Sequence, residues 1–398
     1  MMNYLEKNLN EQRLEQQKAE RDSLFSTCAL VNGEIYAFTC FKRLPIKKNL
    51  QTGEITILKN VKNYDLSFVP DGMLSVGHDI FVLELNGNRL LKYNTNENTC
   101  QYFYIDCNRK EWDNYAAFAQ YGEYLYIIPR FLDELIKIEI CSGKVQRDKK
   151  IHFKENGENF GKPWYGFQGE KVIWFFEKES NRVISYDMEK DVWENYELSV
   201  TINDCVHAVL YNNRMYILSS EGNIYGWNTE NKLLEKIADC SNESKDGNIF
   251  YRIAITDKII FVLPGLGQDI FCIDKNTKEI SKYKSYPNDF RYLVPEGWSK
   301  YYGYCEDEDY YYFAMRSMNF ILSLNKNSGE EQWIKSQLPT CQEYKNFYAT
   351  YNKALLNENE LDIDGLLCYL NSESIIGKNM ICKLAGNQVW KRVKGETK

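Results

Sequence analysis

An aliphatic residue followed by an aromatic one recurs seven times along the chain, as Ile35-Tyr36, Ile80-Phe81, Leu125-Tyr126, Ile173-Trp174, Met215-Tyr216, Ile260-Phe261 and, with Tyr in the first place, Tyr311-Tyr312. The steps between successive pairs are 45, 45, 48, 42, 45 and 51 residues. A period of that length means one supersecondary unit per repeat. Such a unit cannot bury its own hydrophobic surface and has to stack against its copies. A second marker keeps the same step: a short apolar run ending in a turn opened by a polar residue. It reads Tyr93-Asn94-Thr95-Asn96, Ile138-Glu139-Ile140-Cys141-Ser142-Gly143, Tyr186-Asp187-Met188-Glu189, Trp227-Asn228-Thr229-Glu230, Ile273-Asp274-Lys275-Asn276 and Leu324-Asn325-Lys326-Asn327-Ser328-Gly329, with a degraded copy at Lys48-Asn49-Leu50-Gln51-Thr52-Gly53. Asn, Asp, Ser and Gly suit tight turns because they tolerate left-handed backbone or bond their own backbone.

Each period divides into four short segments rich in aromatic and β-branched residues and bounded by turn residues. In the fourth unit they fall at 166–168, 172–176, 182–186 and 192–198,. The second segment is apolar throughout, as in Ile259-Ile260-Phe261-Val262-Leu263, which predicts a strand covered on both faces,. The fourth is the most charged, as in Glu330-Glu331-Gln332-Trp333, which suits an outer edge that must not pair with other molecules,. Four strands per period predict an all-β chain: a seven-bladed β-propeller of four-stranded antiparallel blades over residues 24–338. The first and last units each hold four strands in line, so no blade is expected to be completed by both ends of the chain.

Asn181-Arg182-Val183-Ile184-Ser185-Tyr186-Asp187, followed by Trp193, resembles a kelch repeat. Leu324-Asn325-Lys326-Asn327-Ser328-Gly329, followed by Trp333, is similar to the repeat of quinone-enzyme propellers. The likeness covers residues 24–338 and implies the blade architecture alone. The kelch Gly-Gly doublet is missing from every unit, with Thr39-Cys40, Pro129-Arg130 and Ser219-Ser220 near its place, and no Trp-Asp dipeptide recurs.

Residues 1–23, rich in Glu, Gln, Lys, Arg and Leu and free of Gly and Pro, predict a short helical extension,. Residues 339–398 lose the blade period. They predict a helical segment whose apolar set, Leu366, Leu367, Leu370, Ile375, Ile376, Met380, Ile381 and Leu384, packs on the ring,. No stretch reaches the roughly 20 apolar residues that span a bilayer. The polar, acid-containing start reads as neither a secretory signal nor a transit peptide, so a cytoplasmic chain is expected. Its 12 cysteines form no Cys-x-x-Cys pair and stand beside only 3 histidines. The expectation is reduced thiols, no metal site and no cofactor. A net charge of −7 without a basic stripe disfavours nucleic acid as a partner,.

In a propeller the segments leading into the innermost strands crowd around one mouth of the channel. Here they carry Asp71 and Met73, Trp112 to Tyr115, Trp164 and Tyr165, Asp204 and His207, Tyr251 and Arg252, and Glu296 to Lys300. The candidate ligand-binding set is Asp113, Tyr115, Trp164, Tyr165, Asp204, His207, Arg252, Glu296 and Trp298. Aromatic faces beside carboxylates and an arginine suit a sugar-like or peptide ligand. Asp204 and His207, three residues apart, could form an acid–base pair. No compact catalytic signature is present, which favours a non-enzymatic binding or scaffold propeller for a protein or glycan partner. The alternative is a carbohydrate-active enzyme, a glycoside hydrolase or lyase, with acids at the mouth.

Overall fold

The computed structural model describes residues 25–337 except 40–42, 60, 66, 86–88, 106–114, 131–133, 149–162, 242–249, 266–268, 292–302 and 315–319. The expected helices at 1–23 and 339–398 lie outside the described residues. Seven four-stranded sheets follow one another, each an antiparallel meander whose strands are consecutive in the chain. Blades 1 to 7 occupy 25–57, 70–104, 115–148, 163–202, 205–239, 250–282 and 303–335. The seven-bladed β-propeller read from the two markers is the fold, and among the described residues no strand is shared between the first and last blades. No helix among the described residues is long and apolar enough to cross a membrane.

The first marker owes its form to where the core sits. Buried residues fall into seven clusters, each straddling one seam between neighbouring blades. The second strand of blades 1 to 6 has the same profile, one half-buried residue followed by five buried ones. Successive side chains on a strand point to opposite faces, so the two residues of each marker enter different seams. Ile80 packs toward blade 1 while Phe81 packs toward blade 3. Ile173 packs toward blade 3 and Trp174 toward blade 5, and Met215 and Tyr216 divide in the same way. Every seam thus receives an aromatic ring from the blade before it. Six receive an aliphatic chain from the blade after; in the seam between blades 6 and 7, Tyr311 takes that place.

The second marker is the turn between the third and fourth strands. Asn49, Asn94, Asp187, Asn228, Asp274 and Asn325 each accept, at Oδ1, the backbone N–H groups two and three residues on. Blade 3 has Glu139 there, and the Ser142 hydroxyl donates to its carboxylate instead. Four residues on, all seven turns turn left-handed, at Gly53, Asn98, Gly143, Asp191, Lys232, Lys278 and Gly329.

The ring closes by repeating its own connector. The chain leaving blade 1 forms a parallel bridge on the turn of blade 2: Lys62 N–H donates to Asn98 C=O (3.1 Å) and Cys100 N–H donates to Lys62 C=O (2.9 Å). The chain leaving blade 7 does the same on blade 1: Gln337 N–H donates to Gly53 C=O (2.8 Å) and Ile55 N–H donates to Gln337 C=O (3.3 Å). Gly53 has a φ of 72°, and a Cβ there would come 1.9 Å from the Lys335 carbonyl oxygen. Gly33 and Gly77 are left-handed too, but with open space around them. Gly33→Ala and Gly77→Ala should each cost about 1–2 kcal/mol of backbone strain. Gly53→Ala should cost about 1–3 kcal/mol more, because the closing bridge must move. Equal losses in denaturant melts of the three variants would mean that the bridge at Gln337 does not hold the ring.

Lys48 lies in the same seam, on the third strand of blade 1, and is 1% exposed. Its ammonium donates to Ser336 Oγ (2.5 Å), and no carboxylate among the described residues pairs with it. Burial pulls its pKa from 10.5 down to about 7. The unfolded chain therefore holds a proton that the folded one gives up between pH 7 and 10.5, so this group makes stability rise with pH across that window. Lys48→Met should flatten that rise and raise the melting temperature at pH 7. A variant that melts lower with the slope unchanged would show that the ammonium is well accommodated.

Candidate functional site

Because the core is divided among seven seams, nothing apolar need fill the axis, and the innermost strands line a channel. In blades 1 to 6 the innermost strand carries a register shift near its start, an extra residue against the second strand. A bulge of this kind breaks the alternation of side chains and re-aims one of them. In blades 2 to 6 the extra residues are Asp71, Ala116, Trp164, Val206 and Tyr251, and all five line a single cavity of about 1170 Å³. Thr27, within the irregular stretch of blade 1, lines it as well.

Of the residues expected at the mouth, Tyr115, Trp164, Tyr165, Asp204, His207 and Arg252 come together around this cavity. Asp113, Glu296 and Trp298 lie outside the described residues, as do Trp112, Asn114 and Lys300. Tyr115 needs Gly72 on the preceding blade, where a Cβ would stand 2.1 Å from its hydroxyl. Trp164 is fixed on its wall from two blades: Arg130 of blade 3 donates through Nε to its carbonyl (2.7 Å) with the guanidinium 4.7 Å from the ring centre, and Lys178 of its own blade has Nζ 5.0 Å from the ring centre. Cation–ring contacts of this kind help hold an indole in place, because the positive charge is attracted to the electron-rich ring face.

Deeper in, His207 is 2% exposed between the rings of Tyr165 (5.9 Å) and Tyr304 (5.4 Å, edge-on). Its Nδ1 accepts the Ile253 N–H (3.2 Å) from blade 6. Burial first, and the nearby Arg252 charge second, hold its pKa well below 6.5. It is a neutral imidazole that closes a seam. The acid–base pair with Asp204 does not form: the Val206 bulge stands between them, and no hydrogen bond joins the two side chains. Burial raises the Tyr165 phenol, which stays protonated although Arg252 and the Ala208 backbone act the other way. The Tyr304 phenol is raised by burial and then by Glu306.

Sequence reasoning missed Arg130, Tyr304, Glu306 and Lys326, which also line the cavity. Glu306 and Lys326 are paired at 2.7 Å. Arg130 follows the last residue of a second strand. That strand runs antiparallel to the innermost one, so its far end returns to the mouth, and the repeat register could have located it. Among the described residues no three His, Cys, Asp or Glu side chains group as a metal site.

No family model and no curated protein matches the chain. Solved structures do. YCF48 from Cyanidioschyzon merolae superposes with a TM-score of 0.56 at 9% identity, covering 75% of this chain and 95% of that one. The extracellular domain of BT3049 from B. thetaiotaomicron gives 0.51 at 11%, covering 80% of this chain and 41% of its own. PorZ, an essential surface component of the type-IX secretion system of Porphyromonas gingivalis, gives 0.50 at 9%, covering 78% and 38%. What they share with this chain is the fold. The chain spans about two fifths of the length of BT3049's domain and of PorZ.

His207 should stay neutral, with its proton on Nε2, at pH 6. The unfolded chain takes up a proton near 6.5 that the folded one refuses, so the site lowers stability as pH falls through that value. Imidazole ¹⁵N shifts measured across pH 5–7 read this directly, and a protonation step near 6.5 in the folded protein would refute it.

Proposed function

We propose that this chain is a binding propeller without catalytic activity, which recognises a protein or glycan partner by taking a polar, sugar-like or peptide segment into its channel mouth. The observation that carries this reading is the run of bulges. Five successive blades spend a register irregularity on aiming one residue each into the same cavity. A channel that was only a by-product of ring closure would not need that repetition.

The lining supports a polar ligand with apolar faces. Tyr115, Trp164, Tyr165 and Tyr251 supply rings, while Asp71, Asp204, Arg130 and Arg252 supply both signs of charge. At about 1170 Å³ the space exceeds that of a single small metabolite and suits a few sugar rings or a short stretch of peptide,. Rigid aromatic walls favour affinity because little side-chain freedom is lost on binding.

Trp164→Ala should weaken binding of such a ligand by about 1–3 kcal/mol, as truncation of a central aromatic anchor does. The ring should stay folded, because the indole belongs to the channel wall and not to a seam cluster. Calorimetric titration with neutral oligosaccharides and short peptides, beside a thermal melt of the variant, makes the test. Unchanged affinity in both Trp164→Ala and Tyr251→Ala would move the working surface away from the channel.

A further inference from the structure

Two ionic groups of opposite sign line the cavity without a charged partner among the described residues, one at the end of a strand of blade 3 and one just before blade 5, on either side of the blade that carries Trp164. On blade 3, Arg130 is held by the indole face and the Trp164 carbonyl through Nε alone. Among the described residues its two terminal amino groups make no hydrogen bond and face no carboxylate. Just before blade 5, Asp204 has a left-handed backbone, φ 42°, a conformation that Asp adopts more readily than most residues,. That backbone is pinned: the Asp204 carbonyl accepts the Ser220 N–H (3.0 Å), and the Ser220 carbonyl accepts the Phe250 N–H (3.3 Å). Among the described residues its carboxylate accepts no hydrogen bond, and Oδ1 is shut away from solvent.

Neither feature is the ordinary state of a charged side chain in a wall. A buried carboxylate oxygen without a donor leaves its desolvation cost uncompensated. Other charges in the same lining are engaged: Glu306 with Lys326 (2.7 Å), and Glu221 with the side-chain amides of Asn203 (3.3 Å) and Asn223 (3.4 Å). Arg130 and Asp204 are not joined to each other either, so each keeps its valence for something between them.

We propose that the cavity takes a small zwitterion of the amino-acid or short-peptide class. Its carboxylate lies on the open fork of Arg130, its ammonium on the Asp204 carboxylate, and its chain along Trp164. This rests on the channel-binding reading and narrows it to one of its two ligand classes. A guanidinium already stacked on an indole meets a carboxylate through two parallel N–H···O bonds with little further ordering. A ligand lacking either charge leaves one wall group desolvated and unpaired, so recognition of both ends is strict.

The test is calorimetric titration of the full chain with L-amino acids, dipeptides and tripeptides, each free, N-acetylated and C-amidated, beside neutral oligosaccharides. Free zwitterions should bind, and capping either end should weaken binding about ten-fold or more. Arg130→Gln should erase the penalty for C-amidation and spare that for N-acetylation; Asp204→Asn, which keeps the left-handed preference, should do the reverse. If Arg130→Gln fails to fold, Arg130→Lys keeps the charge without the fork and should reduce the C-amidation penalty. Equal affinity for capped and free peptides overturns the proposal. So does tight binding of a neutral oligosaccharide that neither variant changes, an outcome that leaves channel binding standing. Silence from every probe overturns both.

Discussion

Burial of the second strand on both faces is the constraint from which the rest of the molecule follows. A strand covered on both sides needs two neighbours, and in a meander of four the sheet itself supplies none above or below. Each blade must therefore stand between two others, and the arrangement ends only when the last meets the first. The apolar core is cut into seven wedges. Hydrophobic burial, the largest favourable term in folding, is collected at the seams and leaves the axis to polar and aromatic side chains.

That division of labour lets the channel carry features that a single core would not tolerate. An interior histidine held neutral sits on an innermost strand, and an unbonded carboxylate oxygen at Asp204 lies just before the same strand, whose stability is secured elsewhere. The seam between blades 7 and 1 shows the opposite case. There an ammonium, Lys48, lies within the seam, and it is the one buried lysine among the described residues.

How much was legible in the sequence depended on whether the signal was local. Ile80-Phe81 and its copies were visible because adjacent residues on one strand must satisfy two different seams, and every blade repeats the demand. The turns at Asn49, Asn94 and Asp274 were visible for the same reason, since an Asx side chain bonds backbone only two and three residues away. The site was half legible. Tyr115, Trp164, Tyr165 and Arg252 could be placed at the mouth from strand order alone. The bulges could not, because an extra residue is defined only against its partner strand. Their effect was to separate Asp204 from His207, which proximity in sequence had paired, and to set Val206 between them. Arg130 carries no motif, and only the antiparallel return of a second strand brings it to the rim.

The order within the first marker also gives each blade two unlike sides. Six of the seven blades offer an aliphatic chain backward and an aromatic ring forward, so a blade cannot pack on a copy of itself face to face, only head to tail. This is the geometry of heterologous contacts in oligomers, which yield a closed ring when the rotation per step divides the circle and an endless filament when it does not. Six of the seven junctions ask for the same complement, so their sides would accept another blade inserted between them. What fixes the count at seven is the wedge angle. Side-chain volume at the outer strands, and not the marker itself, is where a change in blade number would have to be written.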